Sequence, residues 1–231
     1  MKNFCILVSL LAFVSCAPQS FQVLSDDYSS SAKSYNTSIT ILPLTEDLVD
    51  EKVLESYLKR KGAKPSVISA RNKNIFKSYF GLVFSETATG DVHDLIGSDN
   101  LSFLNDVSFT DSTLSTDSKV ELPVIIPQKG KLFDPNSPTD FTLLAQNISW
   151  EIEFVEEQSK PVGGSNNQRF EFSMNMKYVI WDNTKEVVAG FGNLKEKRNL
   201  TKIPERNYYL DFFEDLSRKI IRKSPIQERY K

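Results

Sequence analysis

The stretch FEFSMNMKYVI in residues 170–180 alternates apolar and polar from Phe170 to Tyr178. Phe170, Phe172, Met174, Met176, Tyr178 and Ile180 are apolar, while Glu171, Ser173, Asn175 and Lys177 between them are polar. A period of two places successive side chains on opposite faces, so the segment must be an extended strand with one dry and one wet face. Its backbone then needs paired neighbours, and the flanking sequence supplies them. Upstream, Leu144, Ile148, Trp150, Ile152 and Phe154 read as one face of a long strand, with Asn147, Ser149, Glu151 and Glu153 on the wet side. Residues 161–168, PVGGSNNQ, are a turn-rich connection, and Asp182-Asn183 makes a tight turn into a further strand over 186–197. Three such strands in succession predict an antiparallel meander.

A helix follows. Tyr209, Phe212, Phe213, Leu216 and Ile220 recur at helical spacing, with Asp211, Glu214 and Asp215 early and Arg218, Lys219, Arg222 and Lys223 late, matching the helix dipole. Pro225 stops it. Its apolar stripe is expected to lie across the dry face of the meander. In the first half, Ile39-Thr40-Ile41-Leu42 reads as a short strand ended by Pro43, and Thr45-Glu46-Asp47 offers caps and negative charge to a helix start. Val49, Val53 and Tyr57 are spaced by four, with Leu54 and Leu58 alongside, before Lys59-Arg60-Lys61-Gly62 closes the element. Ile75, Phe76, Tyr79 and Phe80 predict another turn or two of helix, and Gly81-Leu82-Val83-Phe84-Ser85 a strand. Residues 87–118 are rich in Ser, Thr and Asp and read as loops and short helical pieces. KVELPVII, residues 119–126, is a strand that Pro123 and Pro127 confine to an edge. The order predicts an α+β fold: a two-layer sandwich with a mainly antiparallel sheet, the C-terminal meander, packed by an N-terminal and a C-terminal helix.

Candidate chemistry is sparse. His93 is the single histidine, so any imidazole-based machine must be built on it, and no G-x-S-x-G stretch accompanies it. Asp91, His93 and Asp94 lack the spacing of a dedicated zinc site. Gly190-Phe191-Gly192 lies in a strand without the following helix a phosphate loop requires, so its glycines point to a bulge or close packing. Glu151 with Glu153 belongs to a wet sheet face, and Glu156-Glu157 carries no acid–base signature of its own. Tyr208 is the ring left over from the core stripe for a surface contact. Sequons occur at Asn36, Asn147 and Asn199. No catalytic, cofactor-binding or metal residues are assigned, no cofactor is expected, and an enzyme is not expected. With 28 Lys and Arg against 30 Asp and Glu the chain has no basic excess, which argues against nucleic acid as a partner.

The first residues carry an address. Lys2 supplies positive charge and residues 4–14, FCILVSLLAFV, are apolar apart from Ser9. At ~1.5 Å per residue this run is far too short for the ~30 Å hydrocarbon core, and it has the layout of a secretory signal peptide. Cys16 stands where it stops. Two cleavage patterns fit: Ser15-Cys16-Ala17 as an ordinary small-x-small site that discards the cysteine, or Val14-Ser15-Cys16 as a site that makes it the first mature residue. The second resembles the lipobox of bacterial lipoproteins, with Phe13 where that family usually has an aliphatic residue. The resemblance implies a lipidated Cys16 and, with Ala17 following, the outer membrane facing the periplasm. Cys5 lies within the apolar run, so no other cysteine remains and the mature domain must hold itself by burial alone. The organisation expected is a signal peptide over 1–15, a Ser-rich flexible tether over 16–38 and a single α+β domain over 39–231; the alternatives for the tether are a first strand through Phe21–Leu24 or a disordered scar.

A tether followed by a meander and a closing helix is also similar to the small accessory lipoproteins of lipopolysaccharide assembly and lipid transport. That likeness implies docking to an envelope protein through a sheet edge or the polar sheet face. The function expected is a membrane-anchored, non-enzymatic binding or assembly accessory of the cell envelope. The alternative is a carrier of a small apolar ligand or lipid between sheet and helices, lined by Phe172, Met174 and Met176.

Overall fold

The computed structural model describes residues 20–29, 36–44, 48–49, 57, 59–62, 75–98, 101–156, 168–202 and 204–229. Its centre is the meander the alternation requires: β7 (Phe141–Glu156), β8 (Gln168–Asp182) and β9 (Val187–Leu200), paired antiparallel in that order. β2 (Ile39–Pro43) adds parallel to the outer side of β7, and the short β4 (Val92–Asp94) adds parallel to β2. Leu48 and Val49 form a two-residue strand, β3, beside β7, where the spacing of apolar residues had placed the start of a helix. On the far side of β9 runs β1 (Phe21–Leu24), so the sheet reads β1-β9-β8-β7-β2-β4 across its width. The fold is thus a mixed α/β one with a mostly antiparallel sheet.

β1 lies inside the segment read as a tether over 16–38 and pairs with the sheet eighteen residues before Ile39. The strand reading of FQVL is the alternative, and the Ser-rich surroundings outweigh it because four residues carry too little pattern. Tertiary contacts hold it instead. After β1 a single helical turn, α1 (Asp26–Ser29), carries Tyr28, whose hydroxyl donates to Asp182 Oδ2 at 2.6 Å while its ring meets Phe141 edge-on and lies under Lys185 Nζ.

A second correction concerns residues 75–87, which form one helix, α2 (Ile75–Thr87), instead of helix then strand. Gly81 suggested a break, and Leu82 to Phe84 suggested β structure. In place, an added Cβ on Gly81 would fall 1.7 Å from Asp94 Oδ2, so the glycine lets the β4 edge close onto the helix. α3 (Arg206–Arg222) forms as the stripe predicts, with Lys219 and Arg222 in its last turn. It buries Tyr209, Phe212, Phe213, Leu216, Ile220 and Ile221, each contributing about 2 kcal/mol on full burial. α2 and α3 share one cluster with the dry face of the meander; the rings of Phe76 and Phe80 stack at 4.6 Å and both meet Phe213 edge-on. Of the helix expected over residues 45–62, Tyr57 is described and lies in this cluster against Phe170, its hydroxyl bound to the Lys202 carbonyl. Lys59 and Arg60 are helical, Gly62 takes a positive φ, and the rest of that stretch lies outside the described residues.

The opposite face is wet over only half its length. β6 (Glu121–Pro127) is the strand expected over 119–126, and it pairs antiparallel in a hairpin with β5 (Phe109–Ser115), where the Ser/Thr/Asp-rich stretch had read as loop, preceded by a 3₁₀ turn at Ser102–Asp106. This hairpin covers Leu42, Leu144, Val179, Trp181 and Phe191 in a second cluster. Leu144 therefore faces away from Ile148, Trp150 and Ile152, with which the sequence had grouped it. The cause is a bulge between Gln146 and Ser149, with Asn147 at φ 48°, which inserts one residue and inverts the phase of everything upstream.

Candidate functional site

Beyond the bulge, β7, β8 and β9 extend past the hairpin and present a polar face. It carries Ser149 and Glu151 from β7, Glu171 and Asn175 from β8, and Lys195, Lys197 and Asn199 from β9, while Ser173 between them is fully buried. Lys197 Nζ stands 3.5 Å from Glu171 Oε2. Where this face meets the hairpin there is a groove of about 520 Å³, with Ser112, Thr113, Gln146, Asn147 and Lys177 among its walls.

The geometry of the groove follows from how β6 is docked. Pro123, Ile125 and Pro127 turn their main chain away from β5. The two prolines have no N–H to offer, leaving Ile125 with an outward donor and acceptor. Gln146, 2% exposed, meets both: the Ile125 N–H donates to Gln146 Oε1 and Gln146 Nε2 donates to the Ile125 carbonyl, each at 2.7 Å. A side-chain amide thus stands in for a neighbouring strand. Lys177 Nζ donates to the Pro123 carbonyl at 3.0 Å, completing the seam. Pro123 and Pro127 do mark an edge, and the edge is closed by side chains from the sheet beneath it. With Gln146 engaged by Ile125, the groove presents the Ser112 and Thr113 hydroxyls, the Asn147 amide and the Lys177 ammonium, a set suited to holding a partner by hydrogen bonds.

A second hollow, of about 410 Å³, is lined by Asn36, Thr37, Asp140, Phe141, Asp182 and Thr184. Its carboxylates act as turn acceptors. Asp140 Oδ2 receives the Ser38 N–H and hydroxyl at 2.8 and 2.9 Å. Asp182 Oδ1 receives the N–H groups of Thr184 and Lys185, both at 2.8 Å, and its Oδ2 receives Tyr28.

The residues singled out from sequence are distributed rather than gathered. His93 is half-buried in β4 beside Thr40, and Asp94 next to it projects to the opposite face, onto α2. Asp94 as a residue stays accessible, but its carboxyl end is packed on the helix. Burial pushes that carboxyl above the usual carboxylate range, partly opposed by the Ile96 N–H. Among the described residues no three His, Cys, Asp or Glu side chains come together as metal ligands. Phe172, Met174 and Met176 are at most 1% exposed, and Phe172 packs against Trp150, Tyr208, Tyr209 and Phe212. Tyr208 is not left over for the surface: its hydroxyl donates to the Arg198 carbonyl at 3.2 Å and its ring meets Phe172 edge-on. Glycines 190 and 192 mark close packing, as expected, with the β1 carbonyls of Val23 and Phe21 against them. Cys16 and residues 161–167 lie outside the described residues. Sequence reasoning missed Gln146; a lone polar residue at a dry position of a strand was the available signal.

No family model matches this chain, and no curated protein matches it. Solved structures with detectable similarity include a PelC dodecamer from Paraburkholderia phytofirmans, 10% identical, covering 91% of this chain and 99% of that chain, with a TM-score of 0.39. Another is a homolog of the neuraminyllactose-binding hemagglutinin from Helicobacter pylori, 12% identical, covering 82% and 83%, with a TM-score of 0.33. These likenesses are distant and say nothing of function. Among the described residues no helix is long and apolar enough to cross a membrane.

Proposed function

We propose that this chain is a bacterial envelope lipoprotein, anchored through Cys16 to the outer membrane on its periplasmic side, whose domain is a non-enzymatic binding or assembly accessory. The observation that carries the reading is Val14-Ser15-Cys16 at the end of an eleven-residue apolar run with a basic start. The domain is taken as a two-layer α+β sandwich of sheet and helices, with the hairpin as an addition on the far face. The polar half of that face and the groove beside Gln146 are the docking surface for an envelope protein, offering side-chain hydrogen bonds without an exposed apolar patch.

Cross-linking in intact cells through primary amines, followed by purification from membranes, tests it. A stoichiometric envelope protein linked at Lys177, at the groove, is the expected product; recovery of the protein alone counts against the accessory role. Anchoring is checked separately by lipid labelling and fractionation of the wild type and Cys16→Ala. Label on the first and a soluble second are expected, and an unlabelled soluble wild type rejects the lipid anchor.

A further inference from the structure

Ser20 is fixed beside β9, where its hydroxyl oxygen accepts the Lys195 N–H at 3.4 Å, and Phe21 pairs with Asn193. Cys16 precedes Ser20 by four residues, which at full extension span about 14 Å. That reach decides how the domain can sit on a bilayer. From Lys195, β9 continues for five residues to Leu200, about 17 Å of strand. A membrane plane set across the strand ends on that side would lie beyond the reach of Cys16. A plane laid over either sheet face would have to clear the layer packed there, the helices on one side or the hairpin on the other, whose outer surface stands about 15 Å from the sheet once the layer spacing of about 10 Å and half a layer's thickness are added. The edge formed by β1 and β9 is the short way out.

The last turn of α3 flanks the same edge. Gln22 Nε2 donates to the Lys219 carbonyl at 2.9 Å, and the Lys223 carbonyl oxygen lies 3.6 Å from where a Cβ on Gly190 would be. Lys219 and Lys223 are exposed, and Lys195 is half-buried. Glu196 faces Lys219 and Glu171 faces Lys197, so the charge favours anionic headgroups modestly; chain length is the stronger constraint.

We infer that the β1–β9 edge, with Lys219 and Lys223, lies against the phosphate headgroups of the bilayer that holds the anchor. The inference rests on lipidation of Cys16. It leaves β4, five strand spacings or about 24 Å away, on the side remote from the membrane.

The test uses full-length protein purified from membranes, with acylation of Cys16 checked by mass, carrying a fluorophore at Lys223→Cys or at Asp91→Cys beside β4. In vesicles of phosphatidylethanolamine and phosphatidylglycerol containing a headgroup-quencher lipid, the label at 223 should lose most of its emission and the label at 91 should keep it. Equal quenching, or stronger quenching at 91, overturns the orientation while the anchor stands. An unmodified Cys16 overturns the anchor and the orientation with it. A long Gly-Ser insertion between Ala17 and Pro18 keeps the lipid and lengthens the reach, so quenching at 223 should fall; undiminished quenching would overturn chain length as the cause.

Discussion

A Cβ on Gly192 would stand 2.7 Å from Tyr178 Cε1 and 2.8 Å from the Phe21 carbonyl oxygen, closer than atoms of folded proteins tolerate. The missing side chain lets the Tyr178 ring cross β9, so that its hydroxyl accepts Gln22 Nε2 at 2.8 Å on β1. Burial drives that phenol's pKa well above its ordinary value, the Gln22 hydrogen bond opposing it slightly. Gly192→Ala must push the ring or β1 aside, and we expect a loss of about 1–3 kcal/mol, read as a lower urea midpoint with faster amide exchange at Val23. Tyr178→Phe removes a single hydrogen bond and should cost about 1 kcal/mol, since Gln22 retains Lys219. An unchanged midpoint in Gly192→Ala would mean that β1 is not held through this crossing. Glycine in a strand signalled close approach from sequence alone, but its neighbours come from residues far away in the chain and no local pattern names them.

At the scale of elements, the hairpin's outer edge is tied to the sheet by two side chains, Gln146 and Lys177, above the hydrophobic cluster it covers. Gln146→Ala would strand the outward N–H and carbonyl of Ile125, groups that cost about 1–3 kcal/mol each when buried without partners. We expect the hairpin to loosen before the sheet does: hydrogen exchange should quicken at Ile125 and through β6, with the β7–β8 pairing still protected. Gln146→Glu keeps an acceptor for the N–H but loses the donor to the carbonyl, so it should fall between. Uniform exchange across hairpin and sheet in Gln146→Ala would show that the hydrophobic cluster, not the amide, does the docking. The same region shows where sequence reading stops. β8, β9 and α3 were legible because one period persists over many residues in each. β5 was not, since FTDSTLS buries little and its burial comes from lying on the sheet. Leu144 was placed on the wrong face because a one-residue bulge leaves no mark in composition. α2 was cut in two because Gly81 serves Asp94, a contact to another element. The candidate groove, built from hairpin and bulge together, inherits both blind spots.

For the molecule as a whole, the chain's last described residues tie the two helices of the core together. After α3, Ile226 is fully buried, Glu228 bridges Ala88, and main-chain bonds join Thr89 to Gln227 and Arg229 to Thr87. Glu228 binds Arg218 through one oxygen and Arg222 through the other at 3.2 Å, while Arg218 also holds Glu214 at 2.8 Å. Burial alone would raise the Glu228 carboxyl, but Arg222 and Arg218 together outweigh it and hold it below the usual carboxylate range. A carboxyl depressed on folding contributes stability above its unfolded pKa, and the contribution disappears as pH falls through the folded value. Asp94 runs the other way, because protonation relieves the cost of burying its charge. Total stability against pH mixes the two, and only a difference between variants isolates the tail. Glu228→Gln should therefore lie below the wild type by about 1.5 kcal/mol at neutral pH, with the gap closing through the acid range below the ordinary glutamate pKa of 4.5. Urea midpoints of both proteins from pH 7 to about pH 3 read that gap, limited to conditions where the protein still folds. A gap that stays constant with pH would mean that Glu228 holds the tail by shape and main-chain pairing, with its charge contributing nothing measurable.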